Sequence, residues 1–255
     1  MGKIISFSNQ KGGVGKTTTC VNMGAYLAKA GKKVLLVDLD PQGNATTGLG
    51  FEKASIKSSV YNAMIENANL NNCIVNSNIP NLDLLPSSID LAGAEVELVY
   101  IKQREYVLSS ILKPIQNVYD FILIDCPPSL GLLTINALTA ADSCIIPIQS
   151  EYYALEGLSQ LLNSIKLVTK HLNPKLKIEG VVLTMYDNRA LISRQIAEEI
   201  RRFFKAKVYG VIIPRNIRVS EAPSHGVPVM LHDAKCSGAR AYQALTEEFL
   251  NRQEE

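Results

Sequence analysis

Residues 10–19 read Gln10-Lys11-Gly12-Gly13-Val14-Gly15-Lys16-Thr17-Thr18-Thr19, types and spacings suited to holding phosphate. A glycine-rich turn lets successive backbone N–H groups converge on phosphate oxygens, and a helix starting behind it adds the positive end of its dipole. In such a cradle Gly12, Gly13, Val14, Gly15 and Thr18 supply backbone, Lys16 reaches the β and γ phosphates, and the Thr17 hydroxyl ligates Mg²⁺. Lys11 is surplus to that plan. The pattern G-x-x-x-x-G-K-[ST] also calls for glycine where Gln10 stands, so the loop is a variant whose extra cation needs its own explanation. Glycine loops also make tight turns that hold nothing, and the flanking elements must decide between the two.

Two further segments bring acids. Asp38-Leu39-Asp40-Pro41-Gln42-Gly43-Asn44 follows an apolar run; Pro41 obstructs strand or helix continuation and Gly43 permits positive φ, so Asp40 belongs to a loop that can move. Beside a γ phosphate, Asp40 could position the attacking water or help hold the Mg²⁺ hydration shell; the plainer reading is an aspartate that stabilises a turn. Residues 119–125 end four apolar residues in Asp125, the pattern of a Walker-B acid that contacts Mg²⁺ through water. Strand-end aspartates are common, and it is the pairing with the glycine loop that makes this one specific. Further on, Ile213-Pro214-Arg215-Asn216 closes another apolar run, where Pro214 and Asn216 could form a nucleobase edge or simply a turn.

These groups need a scaffold that gathers strand ends. Apolar runs lie at 3–8, 33–37, 82–85, 121–124, 143–148, 178–184 and 208–212, with helical patterns at 17–30, 91–111, 132–140, 153–171, 191–204 and 239–250. Continuous apolar runs fit strands buried on both faces, and their alternation with helices predicts an α/β, doubly wound, mainly parallel sheet with helices on both faces, of P-loop NTPase type. Ligands of such sheets sit at the carboxyl ends of the strands, where the motifs above should converge. No linker interrupts the 255 residues, so residues 1–250 are expected to form a single domain with a short polar tail at 251–255. The asparagine-rich stretch 67–80 reads as a surface connection. In the helix at 191–204, Ile192, Ile196, Ile200 and Phe203 should face the core, leaving Arg194, Arg201, Arg202 and Lys205 outside.

Hydrophobic residues make up 47% and charged residues 20%, which permits a sizeable core and excludes a disordered chain. No apolar run approaches the roughly 20 residues that span a bilayer, and no signal-peptide pattern is present, so a cytoplasmic protein is expected. The five cysteines are widely spaced without a C-x-x-C pair, and the three histidines lack metal-ligand spacing with them; reduced thiols and no structural zinc are the expectation. Net charge is +2, yet between residues 166 and 218 twelve Lys and Arg stand against Glu179, Asp187, Glu198 and Glu199, a local +8 that leaves −6 for the rest. That asymmetry suits a polyanion-facing surface, and equally a solvated basic face.

The run 11–18 together with 38–44, Asp125-Cys126-Pro127-Pro128-Ser129-Leu130-Gly131, Glu151-Tyr152-Tyr153-Ala154-Leu155-Glu156-Gly157 and Ser220-Glu221-Ala222-Pro223-Ser224-His225-Gly226 resembles the ParA/Soj family of chromosome- and plasmid-partitioning ATPases almost end to end. The likeness is to the short, Soj-like form, because no helix-turn-helix precedes the first strand. The resemblance implies an ATPase, slow and partner-stimulated, with ATP and Mg²⁺ as cofactors. Two subunits would sandwich two ATP molecules as a homodimer, with Lys11 crossing to the partner's nucleotide. Lys16 and Thr17 would serve the local phosphates and Mg²⁺, Asp40 would assist hydrolysis, and Pro214 and Asn216 would lie at adenine. It further implies that the ATP-bound dimer binds nonspecific double-stranded DNA, with Arg189 and Arg218 implicated, that a ParB/Spo0J-type centromere-binding protein accelerates hydrolysis, and that the protein is nucleoid-associated.

Rivals share the fold. A MinD-like membrane-cycling ATPase would end in a basic amphipathic helix, whereas residues 243–250 are acidic. A nitrogenase-type iron protein needs two bridging cysteines per subunit, and Cys126 stands in the wrong segment. A small-molecule ligase or synthetase, such as one related to dethiobiotin synthesis, is not excluded by fold, but would not need Lys11, the Asp-Pro-Gln-Gly-Asn segment and a basic region together. A passive DNA-binding module would need no phosphate and magnesium constellation.

Overall fold

The computed structural model describes residues 2–151 and 154–254; Tyr152 and Tyr153, part of the motif at 151–157 and of the helix expected from 153, lie outside the described residues. Among the described residues seven strands form one sheet: β1 (Lys3–Phe7), β2 (Val34–Asp38), β3 (Val75–Asn76), β4 (Leu82–Leu85), β5 (Phe121–Asp125), β6 (Ser143–Gln149) and β7 (Lys177–Thr184). Their spatial order is β3-β4-β2-β5-β1-β6-β7, parallel throughout except for β3 against β4. The doubly wound α/β expectation holds. Along β2, Leu35 and Val37 join one apolar layer and Val34 and Leu36 the other, because successive side chains point to opposite faces and helices cover both. That two-sided burial is why the strands read as unbroken apolar runs.

Register brings the chemistry to one edge. Asp38 at the end of β2 is aligned with Asp125 at the end of β5, and Asp125 with Phe7 at the end of β1. The phosphate-loop candidate follows Phe7 directly, so all three segments leave the sheet on its carboxyl side.

Four local expectations are corrected. Residues 208–212 are not a strand: Tyr209 N–H and Ile213 N–H do bond to β7 carbonyls, but Gly210 N–H and Val211 N–H donate to the Glu248 carboxylate instead, each at 2.9 Å. The helix expected at 91–111 is broken into Leu91–Glu97, short 3₁₀ turns at Leu98–Tyr100 and Arg104–Tyr106, and Val107–Leu112. Asn136 reaches across that break, accepting from Leu108 N–H at 3.0 Å and donating to the Arg104 carbonyl at 2.8 Å. In the helix Leu191–Phe204 the buried face holds Ile196, Ile200 and Phe204, whereas Ile192 and Phe203, expected in the core, are 44% and 66% exposed. Finally, the last helix runs Ser237–Glu254, through most of the expected polar tail, and Gln253 bonds Glu179 at 2.7 Å.

Candidate functional site

After β1 the chain is pinned before it turns. Buried Asn9 donates to the Pro147 carbonyl at 2.7 Å and accepts from Lys11 N–H at 3.0 Å, fixing the loop's mouth to β6. Gly13 and Gly15 take φ of 74° and 84°, a region that glycine enters without Cβ strain. Gly15 then caps the helix Lys16–Lys29, which ends at Gly31 with Lys32 N–H bonded to the Leu27 carbonyl and Gly31 N–H to that of Ala28, a Schellman closure. This helix therefore points its free N–H end and positive dipole at the loop. Val14 faces inward, its carbonyl accepting from Thr184 Oγ1 at 2.8 Å, so it holds the loop's shape. Lys16 is also buried, and its ammonium donates to the Lys11 carbonyl at 3.2 Å. Burial lowers its pKa although Asp125, Cys126 and Asp40 all favour the charge.

The three acids differ in what satisfies them. Asp38 is wholly buried and accepts from Thr46 N–H and Thr46 Oγ1, both at 2.7 Å, and from Asp40 N–H at 3.3 Å. Burial still pushes its pKa up to about 6. Asp125 is equally buried, yet among the described residues neither carboxylate oxygen has a hydrogen-bond partner of good geometry. Burial and the neighbouring Asp38 drive its pKa well up, while Thr17 and Lys16 favour the charged form. A buried carboxylate without a partner is costly, and beside Thr17 and Lys16 it suits an acid completed by a hydrated divalent cation. Asp40 Oδ1 accepts from Gln42 N–H at 2.9 Å, the turn-stabilising contact, and the residue also lines a cavity.

That cavity, about 410 Å³, is lined by Gly12, Gly13, Gly15, Lys16, Thr17 and Thr18 on one side and by Asp40 on another. A second, of about 330 Å³, shares Gly15, Thr18 and Met185 with it and adds Pro214 and Asn216. Asn216 is chiefly a helix cap: its Oδ1 accepts from Arg218 N–H and Val219 N–H, and its Nδ2 donates to Ser237 Oγ at 2.9 Å. Met185, between the cavities, has φ of 49°, unusual for a bulky residue. Ala222, Pro223 and Pro228 close the first cavity's far wall. Their segment approaches the loop after Asn44–Gly48 backbone to backbone, since a Cβ on Gly226 would lie 2.7 Å from Gly50 Cα.

Lys11 stands at the mouth, outside that lining, with its ammonium 3.3 Å from Glu151. Glu151 also meets Arg215 at 3.6 Å. Arg215, Arg189 and Arg240 share an open groove. Arg189, 88% exposed, is paired with Asp187, and Arg218 with Glu221 and Asp233. Arg194, Arg201, Arg202 and Lys205 are all exposed on or just after Leu191–Phe204, as their spacing suggested. Sequence reasoning missed Glu151 as the partner of Lys11, Asn22, which bonds the Thr18 carbonyl and Val229 N–H, and Thr184. Thr184, a polar residue closing an apolar strand, carried a usable signal; the other two depend on contacts remote in sequence.

Comparison with known proteins agrees with the geometry. A family model described as an AAA domain matches residues 2–178. The chain is similar to the sporulation initiation inhibitor protein Soj of Bacillus subtilis, 58% identical over 248 residues that cover 97% of this chain and 98% of that one. It is 52% identical over 252 residues to the chromosome partitioning protein ParA of Myxococcus xanthus, covering 99% and 89%. Among solved structures, cobyrinic acid a,c-diamide synthase of Mycobacterium smegmatis with bound ADP and magnesium matches at a TM-score of 0.88 and 37% identity, over 100% and 96% of the two chains. The septum site-determining protein MinD of Pyrococcus horikoshii, complexed with Mg-ADP, matches at 0.81 and 27%, over 97% and 96%.

Proposed function

The chain belongs to the ParA/Soj family of chromosome-partitioning ATPases, and on that premise we propose that it is an ATP-driven switch: two copies close on two nucleotides, the closed form binds DNA without sequence preference, and a ParB/Spo0J-type partner triggers the hydrolysis that releases it. Residues 1–250 act as one ATPase domain. ATP and Mg²⁺ are the cofactors, in keeping with the ADP and magnesium named for the similar structures.

The division between two lysines carries this reading. Lys16 is buried in its own loop, whereas the Lys11 side chain is 33% exposed and its ion pair with Glu151 is open to solvent. Such a pair is worth about 0–1 kcal/mol, so the Lys11 ammonium is readily given up to a second copy's phosphates. Lys16 holds the local phosphates with the loop amides of residues 12–18. Thr17 would hold Mg²⁺ directly, Asp125 and Asp40 would hold it through water, and the ion would neutralise charge on the phosphates. Asp40, on a loop broken by Pro41, orients the attacking water. Pro214 and the second amide hydrogen of Asn216 offer an edge for adenine. Arg189 and Arg218 contact DNA phosphates, which calls for exposed cations and no base reading.

The MinD-like alternative would need a helix free to lie on lipid. Ser237–Glu254 instead buries Tyr242, Leu245 and Phe249 in the core, and no helix among the described residues is long and apolar enough to cross a membrane. The ligase alternative draws on the likeness to the diamide synthase structure. One measurement separates the switch from both alternatives: binding to DNA of arbitrary sequence, with and without ATP, across a salt series. The proposed switch binds only with ATP, and more weakly as salt rises; DNA binding that is absent or indifferent to ATP overturns it.

A further inference from the structure

Asp38 is a fully buried carboxylate that the roles above do not use. Its partners form a closed circuit. Thr46, in the short helix Asn44–Gly48, gives both its N–H and its hydroxyl to Asp38 Oδ2 at 2.7 Å. The same hydroxyl oxygen accepts from Ser87 N–H at 3.0 Å, just beyond the end of β4. Ser87 Oγ in turn donates to the Asp40 carbonyl at 2.7 Å, and Asp40 N–H returns to Asp38 Oδ1 at 3.3 Å. Asp38, Thr46 and Ser87 are 0% exposed and Asp40 is 6% exposed, so water cannot substitute for any member.

We propose that Thr46 and Ser87 are positioning residues for hydrolysis, fixing the backbone of Asp40 from both sides so that its carboxylate stays at the phosphate cavity. The inference rests on the reading of Asp40 as the residue that orients water. The loop carrying Asp40 needs such a fixture: beyond it Pro41 and Gly43 interrupt regular structure, so the sheet alone does not define where the carboxylate points. The chemistry is exacting at position 46. One oxygen must donate to a carboxylate and accept from an N–H at once, which a serine or threonine hydroxyl can do and a valine methyl cannot. Linked buried hydrogen bonds of this kind reinforce one another and favour a single geometry.

The test compares the parent chain with Thr46→Val, Thr46→Ser, Ser87→Ala and Asp40→Ala, measuring single-turnover ATP hydrolysis, Mg-ATP affinity and thermal unfolding. Thr46→Val and Ser87→Ala should slow hydrolysis by about ten- to a hundredfold, the range for a reacting group misplaced by about 1 Å, with Mg-ATP affinity kept. Thr46→Ser should hydrolyse at the parent rate. Parent rates in both Thr46→Val and Ser87→Ala, beside an inactive Asp40→Ala, overturn the inference alone. So does a Thr46→Ser rate as low as that of Thr46→Val, or affinity reduced in step with rate, because methyl packing or general loosening then explains the effect. An Asp40→Ala chain that hydrolyses normally removes the underlying reading as well.

Discussion

The Lys11 ammonium lies 3.3 Å from the Glu151 carboxylate, a partner 140 residues away in the chain. Glu151 also holds Arg215, so a single acid touches both the cation at the phosphate mouth and one of the arginines in the basic groove. Were Lys11 to move away, Glu151 would keep Arg215 and the Gln149 side-chain amide as partners. The nucleotide site and the basic surface are thus in electrostatic contact within one copy.

Lys11→Ala should keep the monomer's affinity for Mg-ATP and abolish the ATP-dependent dimer. The ion pair it removes is solvent-exposed, so unfolding free energy should change by no more than about 1 kcal/mol. Calorimetric titration and sedimentation with ATP check both halves. Lys16→Ala is the contrast, and should bind no Mg-ATP at all. A Lys11→Ala dimer indistinguishable from the parent's removes the role given to this lysine.

Asp40→Ala should bind ATP and dimerise but fail to turn over, leaving the dimer on DNA. Removal of one water-orienting group is expected to cost about 10²–10⁴ in rate. Phosphate release under single-turnover conditions gives the rate, and DNA retention on a gel gives the trapped state; parental turnover contradicts the assignment.

Arg189→Glu with Arg218→Glu should weaken DNA binding of the ATP form and flatten its dependence on salt, since every phosphate no longer neutralised by a cation takes about 0.9 off the log–log slope on duplex DNA. Both side chains are exposed and paired only with acids at the surface, so ATP binding should not change. An unaltered slope means that the DNA phosphates are met elsewhere on the basic face.

Acid stability gives an independent check on the sheet's far edge. Burial alone would raise the pKa of Glu179, but hydrogen bonds from Lys3 and Gln253 outweigh it and hold the carboxyl below its usual value. A folded-state pKa below the unfolded one adds stability at pH above about 4.5, which disappears as pH falls through the folded value. Glu179→Gln should therefore be less stable than the parent at neutral pH, by about 1.5–3 kcal/mol for bonds to a charged group. The two unfolding curves should converge in acid. Curves that stay parallel down to low pH contradict the pairing.

Much of this molecule could be read in advance where one local rule dominates. The run at 121–125 is buried on both faces and reads as a strand; the glycines and Lys16 form a loop whose chemistry leaves few substitutes. Where several partners compete, the sequence was silent. Residues 208–212 look like β5 in composition, yet Glu248, some forty residues on, takes two of their N–H groups. Two adjacent phenylalanines fit one helical stripe almost equally, and packing at the end of Leu191–Phe204 chose Phe204. The break near Gln103, whose φ is 56°, carries no glycine or proline to announce it. Asn216 showed the reverse problem: the turn reading and the nucleobase reading were both open, and its cap bonds account for the first while leaving the second to be tested.

The contact between Gly50 and Gly226 has a mechanical meaning. Side chains at an interface can swivel and let two segments part by degrees. Here main chain rests on main chain, with φ of 87° and 64° at the two glycines, so there is no side chain to give way. A larger residue at either position would have to push the segment that follows Asp40 away from the one that closes the far wall of the phosphate cavity.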